Sequence, residues 1–259
     1  MRALWLTAGA MATVIALAWS TAALWTGFAD ARAPVETMMR SIPFDGDRVQ
    51  IRATAAPVSL EILPGQAGEL LVERSLRWYR GRPKVSEDWD PAAATLRLDA
   101  GCGTADQSAV PLCVADYTIF VPPETDVVAG TTAGGLSAGQ LFGDLRLSSV
   151  SGDVWLDDLA GPVQVRTGTG DIDADRLGGE SADLETGAGG VRVMFTGRPM
   201  SVRAVVRTRG DVNVHVPPGD PYAVTASGTN VTLDIGKDMS SPRKIEAAST
   251  AGTVSVCCG

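Results

Sequence analysis

Along most of the chain, apolar and polar residues alternate with a period of two, the spacing of half-buried strands whose successive side chains point to opposite faces. The alternation predicts strands over residues 48–53, 58–63, 69–78, 96–100 and 117–121, with Pro64-Gly65, Gly81-Arg82-Pro83 and Asp90-Pro91 as breaks between them. Beyond Gly130 a second, longer period is superimposed. Glycines stand at 134, 152, 170, 189, 210, 228 and 252, and a strand follows each within one or two residues. Aligned on these glycines, Gly152-Asp153-Val154, Gly170-Asp171-Ile172, Gly189-Gly190-Val191, Gly210-Asp211-Val212 and Gly252-Thr253-Val254 superpose. Three residues before the glycines stand Thr131, Ser149, Thr167, Thr186, Arg207, Thr225 and Ser249, a column of hydroxyls broken only by Arg207.

A second strand fills the other half of each repeat, as in Leu145-Arg146-Leu147, Val163-Gln164-Val165, Ala182-Asp183-Leu184 and Val202-Arg203-Ala204. A two-strand repeat cannot bury its apolar face alone, so the repeats must stack, with Val154, Ile172, Val191 and Val212 in register along a shared core. The expected fold is all-β: a right-handed or flattened β-solenoid-like stack of two-strand repeats, preceded by one N-terminal helix. An evenly spaced antiparallel sandwich is the alternative. The expected organisation is an anchor over residues 1–29, a linker over 30–47 marked by Pro34, Pro43 and Gly46, a strand-rich lead-in or cap over 48–130, and the repeat region over 131–259.

The first segment departs from the strand pattern. Residues 3–29 contain no charge, and Trp5 and Trp25 sit about one hydrocarbon thickness apart on a helix. This predicts a signal anchor: a single-pass transmembrane helix in the cell membrane with the C-terminal domain extracytoplasmic. A cleavable signal peptide ending near Ala29-Asp30-Ala31 is the competing reading. In an exported chain, cysteines point to disulfides, and Cys102 with Cys113 is the natural pair, stapling a hairpin; Cys257 and Cys258 form a second candidate pair.

Charge removes one class of partner. A formal charge of −8 without a cluster of Lys and Arg excludes a nucleic-acid role. The single histidine, His215, falls on the outward phase of its strand, so no catalytic residue is assigned and no cofactor is expected. Asp171, Asp173 and Asp175 alternate along one strand and are the only calcium candidates, against a reading as solvated carboxylates with occasional ion pairs. Trp155 stands where the next repeat has Asp173 and is the candidate surface contact, against a reading in which it packs on the lead-in strands.

Leu76-Arg77-Trp78 followed by Arg82-Pro83, then Cys102 and Cys113 before the strand Tyr117-Thr118-Ile119-Phe120-Val121-Pro122-Pro123, and then the Ser/Thr-x-x-Gly-Asp-Val steps, occur in that order. In this order the chain resembles a bacterial family of adhesin-like β-strand-repeat proteins of unknown function, in its membrane-anchored actinobacterial form. The resemblance implies the fold and supplies no catalytic residue. The expected function is therefore a non-enzymatic, adhesin-like surface module, its partner an envelope protein or a cell-surface polymer. The alternative is an accessory of an envelope complex acting through its helix, on which Ala8, Gly9, Ala12 and Ala16 form a small-residue face.

Overall fold

The computed structural model describes residues 2–30, 34–54, 58–78, 82–101 and 113–258. One helix, α1 (Arg2–Asp30), precedes twenty-one strands. The lead-in contributes β1 (Val35–Phe44), β2 (Arg48–Ala53), β3 (Val58–Pro64), β4 (Gly68–Trp78), β5 (Lys84–Asp90), β6 (Thr95–Gly101), β7 (Cys113–Val121) and β8 (Asp126–Ala133). The repeats continue as β9 (Leu136–Gly139), β10 (Leu145–Ser151), β11 (Val154–Asp157), β12 (Val163–Thr169), β13 (Ile172–Leu177), β14 (Ser181–Ala188), β15 (Val191–Phe195), β16 (Ser201–Val206) and β17 (Val212–Val216). The chain ends with β18 (Ala223–Ser227), β19 (Asn230–Asp234), β20 (Lys244–Ser249) and β21 (Thr253–Cys258).

These strands form two open sheets. Sheet A has eleven strands in the order β1-β4-β7-β3-β9-β11-β13-β15-β17-β21-β19, and sheet B has ten in the order β18-β20-β16-β14-β12-β10-β8-β2-β6-β5. Within the repeats every pairing is parallel, so the antiparallel sandwich is excluded there. Val154 pairs with Ile172, Ile172 with Val191 and Val191 with Val212, the register expected from the sequence. On the opposite sheet Leu145, Val163, Ala182 and Val202 align in the same way. Residues of this phase from both sheets belong to a single apolar core, and their polar neighbours face outward.

Glycine holds the register. Gly134, Gly152, Gly170, Gly189 and Gly210 all have positive φ, between 110° and 146°, and a Cβ at any of the last four would collide with the carbonyl oxygen of the glycine one repeat earlier. Gly252 continues this column directly from Gly210. Hydroxyls lock the same corner: Thr167 donates to the Gly152 carbonyl at 3.3 Å, Thr186 to Gly170 at 2.9 Å and Ser249 to Gly210 at 2.7 Å. The aligned residue on β16 is Val206, not Arg207, because β16 carries one more residue before its glycine.

Three sequence expectations are corrected. The helix expected as a single-pass anchor forms, but among the described residues no helix is long and apolar enough to cross a membrane. Thr13, Ser20 and Thr21, with the alanines around them, dilute its apolar character. The single-pass membrane localisation falls with it. The segment expected as a linker contains β1, a ten-residue strand paired antiparallel with β4, because Ile42 and Phe44 supply buried apolar positions between its prolines and charges. Finally, spatial order departs from chain order at the end: β20 and β21 lie inside the stack, and the earlier pair β18 and β19 lies outermost.

Replacing Gly152 by Ala is expected to cost about 3 kcal/mol in urea denaturation, since it combines an unfavourable φ with a backbone collision. Gly197→Ala, whose added Cβ would meet the Gly178 carbonyl at an ordinary 3.4 Å, is expected to cost under about 1 kcal/mol.

Candidate functional site

The acidic column following the glycines serves the backbone. The Asp153 carboxylate accepts the Asp171 N–H at 2.9 Å, Asp171 accepts the Gly190 N–H at 2.7 Å, and Asp211 accepts the Thr253 N–H at 2.7 Å. Asp126 does the same for Asp144 at 3.0 Å. Each Asp therefore satisfies a turn donor of the adjacent repeat, the physical reason for Gly-Asp at these corners.

The calcium candidates are dispersed by these partners. Asp171 is used as above, Asp173 pairs with Arg192 at 2.7 Å, and Asp175 pairs with Arg176 at 3.4 Å, the same arginine that reaches Asp157. Among the described residues no group of three His, Cys, Asp or Glu is arranged to hold a metal ion. Cys102 lies outside the described residues, as do the side chains of Cys113 and Cys258, so the two disulfide pairings are not addressed by the geometry. His215 sits half-buried on the outer face of sheet A, with Nδ1 3.4 Å from the Cys257 sulfur on the adjoining strand.

Trp155 and Met194 are large apolar side chains exposed on this face, and Trp155 is the aromatic one. It pairs in register with Ser137 on one side and Asp173 on the other, so it occupies the polar phase of its strand, and it is 48% exposed. Its indole lies over Gly135, where a Cβ would stand 2.7 Å from Cζ3; glycine at that position makes room for the ring. Beside it runs a shallow groove of about 390 Å³ lined by Trp155, Asp157, Asp173, Asp175, Arg192 and Met194. One apolar ring is thus bordered by three carboxylates and a guanidinium, an arrangement that can combine stacking with hydrogen bonding.

Sheet B presents a different surface, a lattice of paired charges. Arg166 and Arg203 converge on Asp183, and Arg203 and Arg207 on Glu185, with Arg203 at 3.0 Å from Asp183 and 2.9 Å from Glu185. Burial pushes the Asp183 carboxyl up, but hydrogen bonds from Arg166 and Arg203 outweigh it and hold the group below the usual carboxylate range. The Arg207 guanidinium holds Glu185 low in the same way.

A buried polar group at the other end of the molecule was not legible in the sequence. Arg74 on β4, 6% exposed, pairs with Glu87 on β5 and Glu36 on β1, tying the last strands of the two sheets together. In sequence Arg74 belongs to a run of basic residues with Arg77, Arg82 and Lys84; in the fold Arg77 pairs with Asp116 at 3.2 Å and Arg82 with Glu36 at 2.7 Å. The three arginines are thus dispersed into separate ion pairs, and Tyr79 and Arg80 lie outside the described residues.

No protein-family model and no curated protein matches the chain. Solved structures similar to it include a "putative adhesin" from Bacteroides fragilis, at 14% identity and a TM-score of 0.46 over 85% of this chain and 97% of that one. Another is a "putative cell adhesion protein" from Clostridium sporogenes, at 11% identity and 0.38 over 87% and 100%. A third is a "putative lipid binding protein" from Parabacteroides distasonis, at 8% identity and 0.33 over 86% and 97%.

Two outcomes follow from these geometries. Calcium or its removal by chelator should leave the melting temperature unchanged, because Asp171, Asp173 and Asp175 already have partners; a saturable upward shift in differential scanning calorimetry would contradict this. The low Asp183 and Glu185 carboxyls contribute stability that is present above the ordinary carboxylate range and lost as pH falls through their depressed values. Arg203→Gln should therefore flatten the acid limb of a stability-against-pH curve and leave its slope near neutrality unchanged.

Proposed function

We propose that the chain is a non-enzymatic interaction module: a flattened β-solenoid over residues 131–259, capped by the lead-in strands of 48–130, that binds an extended polymer or protein partner on the outer face of sheet A. The observation that carries this reading is Trp155, an indole held half-exposed at a position where the next repeat has an aspartate. An aromatic ring at a polar position burdens solubility unless it has something to cover, and glycine at 135 makes room for it. Parallel strands in register support the solenoid, since each added repeat lengthens the same flat face without forming a cleft.

The same arrangement argues against catalysis as the role of this face. Its carboxylates are occupied by backbone N–H groups of adjacent repeats and by arginines, and the groove is open. A partner that fits has flat apolar faces edged by hydroxyls or amides, as sugar rings and extended peptides do.

Sedimentation of the protein with insoluble glycans and with immobilised envelope proteins, comparing the wild type with Trp155→Ala, tests the assignment. Saturable binding to one of them that weakens roughly tenfold or more in the variant, with an unchanged melting temperature, is the expected result. Binding of equal strength in both proteins, or none to any probe, would overturn it.

A further inference from the structure

The residue after each corner glycine of sheet A belongs to a column that runs through the repeats: Gly135, Asp153, Asp171, Gly190, Asp211 and Thr253. Where an aspartate stands in it, the carboxylate accepts the N–H of the column residue in the next repeat, Asp153 from Asp171, Asp171 from Gly190 and Asp211 from Thr253. Glycine breaks the column twice, at 135 and at 190. The first break is filled, because the Trp155 indole lies over Gly135. The second is not filled by the chain. A Cβ at Gly190 would meet the Asp211 carbonyl oxygen at 3.5 Å and the Asp171 carboxylate at 3.7 Å, both ordinary contacts, and Gly190 lies outside the left-handed φ region. Neither space nor backbone conformation demands glycine there. Its consequence is chemical: the Asp211 N–H, which a carboxylate at 190 would serve, has no side-chain acceptor among the described residues.

The second break opens into a recess of about 550 Å³ lined by Gly189, Gly190, Arg192, Arg209, Asp211 and Asn213, among others. Arg192 pairs with Asp173 at 2.7 Å, whereas Arg209 makes no ion pair among the described residues. A guanidinium and a backbone donor therefore line the place where other repeats put a carboxylate. The acids nearby are engaged, Asp171 by the Gly190 N–H, Asp173 by Arg192 and Asp211 by the Thr253 N–H. One more carboxylate in this column repeats what the chain already does with Asp171 beside Asp153, and Arg209 adds a cation to it.

We infer that this recess takes a carboxylate of a glycan, a sugar acid set among neutral units, in the place that an aspartate fills in other repeats, with the Asp211 N–H and the Arg209 guanidinium as its donors. The inference rests on the reading of the outer face of sheet A as a binding surface and names the partner of that surface. The recess and the groove beside Trp155 share Asp173 and Arg192, so they form one track. Trp155 and Asn213 are in register across β13 and β15, three strand spacings or about 14 Å apart, so a chain with one sugar ring on the indole reaches the recess with a later unit. The track is acidic apart from its arginines, which selects an isolated carboxylate over a polyanion. An acidic peptide is the poorer fit. Strands β11, β13, β15 and β17 are each paired on both sides, so an extended peptide finds no edge to join and loses the main-chain ladder that holds such ligands. A glycan is held through ring faces, hydroxyls and carboxylates and needs no ladder.

The test is isothermal titration calorimetry of the full chain in a mild non-ionic detergent, which masks exposed apolar residues of α1 such as Trp19 and Leu24. The probes are polygalacturonate esterified with methyl groups on most of its units, so that single carboxylates remain, the fully esterified polymer, and a glycine-serine peptide carrying one glutamate. The wild type is expected to bind the partly esterified polymer about tenfold more tightly than the neutral one. Gly190→Asp, which completes the column with the chain's own carboxylate, should erase that difference without lowering the melting temperature, and Arg209→Gln should weaken binding of the partly esterified polymer about tenfold. Equal binding of the two polymers by the wild type, or a preference that persists in both variants, overturns the carboxylate site; if binding is nevertheless lost in Trp155→Ala, the binding surface stands without it. A peptide bound as tightly as the partly esterified polymer, with the same dependence on residues 190 and 209, refutes the glycan. No binding of either polymer by the wild type also overturns the inference, and the sedimentation comparison of Trp155→Ala then decides separately whether the surface reading survives.

Discussion

A repeat of two short strands is too thin to bury its own apolar residues, and everything else in this protein follows from how closely one repeat can be laid on the next. The limit is set at the corner between the strands, where the backbones of successive repeats come nearest. Gly152, Gly170, Gly189, Gly210 and Gly252 each stand where a Cβ would strike the previous glycine's carbonyl oxygen. Removing the side chain at that corner lets both sheets keep ladder spacing on either side of it. The interior valines, leucines and isoleucines are then superposed without further specification, and the core is continuous from β1 to β19.

Close stacking has a consequence for the polar groups. Turn N–H groups at the corners find acceptors in Asp126, Asp153, Asp171 and Asp211, each reaching into the next repeat. What looks in one dimension like a ladder of repelling carboxylates is a set of acceptors with donors assigned. Other outer acids are neutralised laterally by arginines, among them Asp173 by Arg192 and Asp183 by Arg166 and Arg203. Against this balanced background an exposed indole stands out, and it is the asymmetry on which the functional proposal rests.

The ends matter because a stack has no natural stopping point. The lead-in strands turn antiparallel, β4 against β1 and β7 in sheet A and β5 against β6 in sheet B, and bring a buried Arg74–Glu87 pair and the Phe44–Trp89 contact over the first core layer. At the far end the chain places β20 and β21 inside and leaves β18 and β19 outside, so the terminal layer carries Asn230, Thr232 and Asp234 on its outer phase and shields the better buried Ile245, Val254 and Val256.

The sequence alone determined the repeat, its two strands, the inward register of Val154, Ile172, Val191 and Val212, and the outward position of Trp155, because each is a local property of alternation and glycine spacing. It did not determine β1, whose prolines and charges hide the two buried residues that make it a strand. It assigned Arg207 to the hydroxyl column because counting back from a glycine ignores the residue inserted before Gly210; only pairing across the sheet shows that Val206 holds that place. It placed Gly228 between Gly210 and Gly252, whereas Gly252 stacks directly on Gly210. Period and phase are written along the chain. Which repeat becomes whose neighbour, and which carboxylate meets which donor, is decided between segments distant in sequence, and that only the tertiary structure could show.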